Sequence, residues 1–411
     1  MPETIRFRST TQNFTELTVL LATSRGVHFS TSHCLPVSPL PPMLRKILFW
    51  SHLIIGLLTG VFVALLCLTG AILAFELQIV DFAERDSRAQ RPSTTAELLS
   101  PQSLLTKLNP QTAGTVQYAE WFSDPQMPVR IVTKNRSVAL LNPYTGASLG
   151  PGAVSLRAFM RWTTNLHTDL TSGPIGLWLI AISNAAFAFL ILSGLWLWWP
   201  RQWRWKALRN SVAIRLDVTG KARDWNWHNA LGFWFLIPLL FICLTGIDMS
   251  FHPVDQWWRS FGGTQVMGPA QAPTKLAAQT EPASAEWPGW MHRIQQHYPG
   301  CRSIQLQNGN SMGIPNKDGI ISVAVKFGTQ RQTTRALDIK FDTRSGQIIE
   351  ERGWSSNEGS LRARSLVRLG HTGEFFGNWG QFLGLIACLA GLVLVSTGFA
   401  LSWRRFFSAK A

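Results

Sequence analysis

Charge is what this sequence has least of. Only 15% of its 411 residues are Asp, Glu, Lys or Arg, against roughly 25% in ordinary soluble domains. Such a shortfall implies long uncharged runs. Cysteine is scarce too, with five in all. Cys67, Cys243 and Cys388 lie within apolar runs, and Cys34 and Cys301 are far apart. There is no Cys-x-x-Cys, no zinc pattern and no disulfide framework. No Gly-x-Gly-x-x-Gly follows a strand, so the common dinucleotide fingerprint is missing. Residues 1–42 are rich in Ser, Thr and Pro and lack the charged start and apolar core of a secretory signal. They are expected to be disordered, or a non-native extension ahead of Met43-Leu-Arg-Lys46.

What the sequence does hold is apolar length. Four runs, Ile47–Phe75, Ile175–Pro200, Leu231–Phe251 and Trp379–Trp403, are each long enough to cross a bilayer, which takes roughly 20 helical residues. The formal net charge is +15. Its basic residues cluster beside these runs, at Arg45–Lys46, Arg201–Arg223 and Arg404–Arg405, which points to a lipid bilayer and not to nucleic acid. A short connection rich in Lys and Arg stays in the cytoplasm. Both termini are therefore expected inside, with the two long loops outside. Trp196, Trp198, Trp199, Trp203, Trp225 and Trp227 flank the short connection as an interfacial aromatic belt would.

The expected order is helix 1 at 43–76, an outer domain at 77–165, a ligand turn with helix 2 at 166–200 and a basic loop at 201–225. Helix 3 follows at 226–251, a second outer domain at 252–370, a ligand turn with helix 4 at 371–405 and a tail at 406–411. Each outer segment has a hairpin signature. In the first, Val129–Thr133 and Ser137–Leu141 precede Asn142-Pro-Tyr-Thr-Gly146. In the second, Ile321–Phe327 and Ala336–Phe341 precede Asp342-Thr-Arg-Ser-Gly346. Gly262–Gly289 reads as a linker, and His292 and His297 as surface residues.

An internal repeat carries the chemistry. A slide of 176 residues puts His52 on His228, Gly56 on Gly232 and Cys67-Leu-Thr-Gly70 on Cys243-Leu-Thr-Gly246. A slide of 204 puts His167-Thr168 on His371-Thr372, Gly176 on Gly380 and Gly194 on Gly398. His52 and His228 then start spans 1 and 3 at the inner face, and His167 and His371 precede spans 2 and 4 at the outer face. Two histidines on facing helices can ligate one haem from its opposite sides. Zinc would want four ligands at one site, commonly with Cys or carboxylate, and two imidazoles per face with few acidic neighbours favour haem. With no Cys-x-x-Cys-His attachment motif, the cofactors expected are two b-type haems. Gly56 and Gly232 would let a flat macrocycle approach the backbone. Secondary candidates near the outer pair are Thr168, Asp169, Thr372, Asp248 and His252, the last as a substitute ligand or propionate contact. Asn184 is expected to donate a hydrogen bond between helices.

His52-x-x-x-Gly56 with Leu68-Thr-Gly70, His228-x-x-x-Gly232 with Leu244-Thr-Gly246, and His371-Thr-Gly373 resemble the PepSY-associated transmembrane family, over about residues 43–405. Val138–Gly150 and Ala336–Ile349 would be its PepSY strand-turn units. His167-Thr-Asp169 departs from the pattern by lacking the glycine. The fold implied is an α-helical membrane protein: four transmembrane helices in two repeated halves, with two small α+β PepSY-like periplasmic domains. Within the family the chain most resembles the inner-membrane ferric-siderophore reductases. That resemblance implies an oxidoreductase of the bacterial inner membrane. It would pass electrons from a cytoplasmic or quinol donor to a ferric siderophore, of hydroxamate type, in the periplasm. The alternatives are an iron or chelate transporter, and a non-catalytic anchor displaying its outer domains to a partner. Transporter sites lie at the midplane, whereas these histidines lie at the faces.

Overall fold

The computed structural model describes residues 41–108, 115–199, 205–251, 287–307, 319–327, 336–343, 345–353 and 366–407. Residues 1–40, Trp203, His252 and most of the expected linker lie outside these. By its contacts the chain divides into Met1–Ile47 and Leu48–Ala411. Of the first unit only residues 41–47 are described, as the opening of a helix. Everything below concerns the second.

Among the described residues three helices are long and apolar enough to cross a membrane: α1 (Pro42–Leu73), α5 (Gly173–Trp198) and α10 (Gly377–Phe407). Their apolar side chains face outward: Leu58 is 72% exposed and Ile175 72%. Only a hydrocarbon solvent makes such a surface favourable. The expected third span is not one straight helix from Leu231. It consists of α7 (Gly220–Trp234) and α8 (Leu236–Ser250), bent by 67° at the junction. Pro238 accounts for the break. It has no N–H for the carbonyl of Trp234, and its ring crowds that same carbonyl. The basic connection is also partly ordered, as α6 (Trp205–Val212).

Small residues let these helices approach closely. A Cβ at Gly60 would stand 2.8 Å from the Phe399 ring, and one at Gly391 would stand 2.6 Å from Cys67 Sγ. Gly246 lies against Asn184. Asn184 does join two helices, but as an acceptor: Cys243 Sγ donates to its backbone oxygen at 3.0 Å.

The strands are β1 (Val116–Phe122), β2 (Val129–Thr133), β3 (Val138–Leu141), β4 (Ser303–Gln307), β5 (Ile320–Lys326), β6 (Ala336–Asp342) and β7 (Gln347–Gly353). The runs expected as strands fall on β2, β3, β5 and β6, and the glycine turn after β6 leads into β7, its antiparallel partner. The two outer segments share one sheet: among the described residues seven strands lie in a single antiparallel sheet, in the order β3-β2-β1-β4-β5-β6-β7. The two loops meet where β1 pairs with β4, Ala119 opposite Leu306 and Trp121 opposite Ile304. Each exposes an edge strand that the other covers, which removes two open edges.

Alternation gives the sheet two unlike faces. One carries Ala119, Trp121, Ile131, Ile304, Val323 and Phe341, packed with Leu104 of α3 (Pro101–Thr106) and with Trp290 and Ile294 of α9 (Trp287–His297). The expected linker therefore gives way to helix at Trp287, where His292 and His297 are exposed. The other face is polar, with Tyr118, Glu120, Arg130, Ser303 and Lys326. Against it lie α2 (Glu76–Ala83) and α4 (Val154–Asp169). Glu84, just beyond α2, takes a bidentate pair from Arg157 of α4 at 2.7 and 2.6 Å and the Ala153 N–H at 3.0 Å. Arg130 of β2 is 3.5 Å away. Burial opposes ionisation of this carboxyl, but these donors outweigh it and hold Glu84 below the usual carboxylate range. The sheet thus sits at the end of the bundle that α4 reaches.

Candidate functional site

The four histidines occupy two ends of the helical bundle. His167 lies in the last turn of α4, and His371 ends the short helical segment 366–371. Their ring centroids are 6.3 Å apart with planes inclined at 58°. At the other end His52 of α1 and His228 of α7 are near enough to interact electrostatically. Every one of the four is half-buried.

Each ring is held through Nδ1. His167 Nδ1 is 2.7 Å from Thr69 Oγ1, and His371 Nδ1 is 3.0 Å from Thr245 Oγ1 and 3.0 Å from the Ile242 carbonyl. His52 Nδ1 is 2.8 Å from Ser193 Oγ, and His228 Nδ1 is 3.0 Å from Thr397 Oγ1 and 3.1 Å from the Leu394 carbonyl. The hydroxyl protons are already engaged by backbone carbonyls of Leu65, Phe241, Leu190 and Val393. A hydroxyl has one proton, and a carbonyl none. Nδ1 donates to the carbonyl beside it in His228 and His371, and in His167 and His52 donation to an already engaged hydroxyl completes the same pattern, with the lone pair left on Nε2. This is the tautomer that ligates a metal, with its other nitrogen oriented by a second partner.

Thr69 and Thr245 are related by the slide of 176, and Ser193 and Thr397 by the slide of 204. The repeat thus includes the hydrogen-bond partners, which the reading of the sequence overlooked although Thr69 and Thr245 sit in its Leu-Thr-Gly motif. Gly56 and Gly232 each face a leucine, Leu190 and Leu394, with 3.7 Å left for a Cβ. Other glycines approach the imidazoles: Gly70 lies beside His167 Cε1, Gly194 beside His52 Cε1 and Gly398 beside His228 Cε1.

The turns after the outer histidines are alike in plan. A Cβ at Gly176 would overlap the carbonyl of Asp169, and one at Gly380 would overlap that of Gly373. Where one repeat has Gly373 at φ 75°, the other keeps Asp169 helical and passes left-handed at Leu170 and Thr171. Asp169 Oδ1 stabilises that turn by accepting the Thr171 N–H at 2.9 Å. The absent glycine is thus absorbed one residue later, and His167 keeps its place. Thr168 and Thr372 donate to carbonyls one turn back, Thr164 and Arg368. Asp248 is half-buried near the end of α8.

A metal fit can be tested on this geometry. Two imidazoles bonded to one metal from opposite sides at about 2 Å each have ring centroids roughly 6 Å apart, as His167 and His371 do. Among the described residues no group of three or more His, Cys, Asp or Glu is placed to hold a metal ion. A metal held by such a pair takes its other ligands from elsewhere, as it does within a porphyrin.

Apolar helices carrying paired histidines at both ends, joined to an antiparallel sheet, define a membrane protein of a distinct class. The chain belongs to the PepSY-associated TM region family, whose model matches residues 49–405. No curated protein matches it.

Proposed function

We propose that this protein is a transmembrane electron carrier that binds two b-type haems and reduces ferric siderophores. The observation that carries the reading is the set of four Nδ1 contacts to hydroxyls of the neighbouring helix, an arrangement that leaves each Nε2 for iron. His167 and His371 would hold one haem and His52 and His228 the other. A bis-histidine haem supplies a reversible one-electron carrier with no open coordination position. The chain's own contribution is to fix the four rings, keep them neutral and set the two sites at opposite ends of the bundle.

Orientation follows from charge. The connection from α5 to α7 is short and basic, with Arg201, Arg204, Lys206, Arg209 and Arg215, and Lys221 and Arg223 follow in the first turn of α7, so it belongs in the cytoplasm. The sheet and the His167/His371 pair then face the periplasm of a bacterial inner membrane. There each ferric ion gains one electron, drawn from a quinol or reduced flavoprotein at the cytoplasmic face. Hard oxygen ligands hold Fe³⁺ better than Fe²⁺, so reduction releases the metal for uptake.

The test is a visible spectrum of the purified protein. It should show two b-type haems per chain, extractable by acid-acetone. Folded, colourless protein from haem-replete cells would leave only the transporter or anchor readings.

A further inference from the structure

A cleft of about 370 Å³ opens between the polar face of the sheet and helices α2 and α4. Thr164 and Asn165 line it, less than one helical turn before His167. Its ionisable lining is Glu76, Asp81, Arg136, Arg157, Arg161 and Lys326. Three of these six are in ion pairs. Glu84 takes Arg157 at 2.6 Å, and Glu120 takes Lys326 at 3.4 Å. Asp81 lies 3.4 Å from Arg302 and 3.8 Å from Arg130. Of the cations, Arg136 and Arg161 remain. Arg161 donates to the neutral carbonyl of Arg136 at 3.1 Å. Among the described residues neither guanidinium is within ion-pair distance of a carboxylate.

Arg136 is also conformationally out of place. It closes the three-residue loop between β2 and β3, with Arg136 N–H donating to Thr133 O at 2.8 Å and Thr133 N–H to Ser137 O at 3.0 Å. Its φ is 63°. Hairpins of this kind put a left-handed residue at that position, usually glycine. A bulky side chain there is strained, and strain of this sort gathers at ligand sites. Here it delivers a guanidinium to the mouth of a cleft in which Asp81 is already engaged by Arg302 and Arg130.

We infer that this cleft binds the ferric substrate as an anion. Its ligand is a chelate carrying surplus carboxylate charge, in preference to the neutral or cationic trihydroxamates. Arg136 and Arg161 are its specificity residues, presenting planar donor forks to carboxylate oxygens. The assignment of this ligand as an electron acceptor rests on the proposed function, whereas binding itself does not.

The experiment is calorimetric titration of the full-length protein in detergent with gallium citrate, which copies ferric citrate without redox chemistry. Wild-type protein should bind it with an affinity that falls as salt rises. Arg136→Gly and Arg161→Gln should each weaken binding by about tenfold or more. Metal-free citrate and a cationic gallium trihydroxamate should bind at least about tenfold more weakly than gallium citrate. Arg136→Gly is the decisive variant, because glycine suits the loop and a thermal melt can verify the fold. Unchanged affinity in a folded Arg136→Gly protein overturns the proposal. So does equal binding of the cationic chelate, or of citrate without metal. A spectrum of the same sample reports on haem separately, so loss of the electron-transfer reading and loss of this one are distinguishable.

Discussion

His167 and Thr69 make the same contact as His371 and Thr245, one repeat apart: Nδ1 to Oγ1 at 2.7 and 3.0 Å. Each threonine can only accept, since its proton goes to its own helix. Thr69→Val and Thr245→Val keep the shape but remove the acceptor. Loss of such a partner typically weakens a metal site by about 10–100-fold. Each variant should purify with less haem at the His167/His371 end, and Thr→Ser should restore it. Full haem occupancy in both valine variants, by pyridine haemochrome assay, would count against the ligand assignment.

Pairing by end of the bundle makes a second prediction. His167→Ala and His371→Ala should abolish one and the same haem. His52→Ala and His228→Ala should abolish the other. Redox titration of each variant should show a single remaining transition, with the same midpoint within each pair. If His52→Ala and His167→Ala removed the same transition, the pairing would be wrong.

Glycines at the outer turns should be irreplaceable for reasons of space alone. Gly176→Ala and Gly380→Ala each drive a methyl into a backbone carbonyl that cannot move aside. Both should lose most of the folded yield in fluorescence-detected size exclusion. Gly384 has nothing within 4 Å of a Cβ, so Gly384→Ala should express as wild type does.

Glu84 ties the polar sheet face to α4, and its carboxyl is held below its ordinary value of 4.5. With the folded value depressed, the unfolded chain takes up protons first as pH falls. The stabilisation is therefore complete above about 4.5 and is lost as pH drops through the lower folded value. Thermal unfolding of the outer sheet should show a step below pH 4.5 that Glu84→Gln removes. Glu84→Gln should also cost about 1–3 kcal/mol at neutral pH, because Arg157 loses its counter-charge and the buried Arg130 keeps only Asp81 and Glu120. A pH profile unchanged by the substitution would refute this account.

Much of this was legible because its signals are local or repeated. Apolar runs mark helices, and β3 and β6 each end in a polar turn with glycine, at Gly146 and Gly346. The histidines stood out by their common register, and the same two slides contain Ser193, Thr245 and Thr397. What escaped depends on distant partners or on a single residue. The β1–β4 pairing unites segments with no mark of each other: Ser303 Oγ meets Glu120 Oε1 at 2.7 Å across 183 residues of chain. The bend at Phe235 turns on Pro238 alone, inside a run whose hydropathy reads as continuous. Arg136 looked like any loop arginine until its backbone conformation was known.

Pairing of β1 with β4 also dictates an order of assembly. β1 is made before α5, α7 and α8, and β4 only after all three. Until then β1 offers a bare strand edge, open to the wrong partner. The central ladder can close only after α5, α7 and α8 have been made, whereas α10 follows β7 in the chain, and long-range closure of this kind is intrinsically slow. A cleft that spans β1, the β2–β3 turn and β5 cannot exist before that pairing, so ligand capture waits for three helices that lie between its two walls in the sequence.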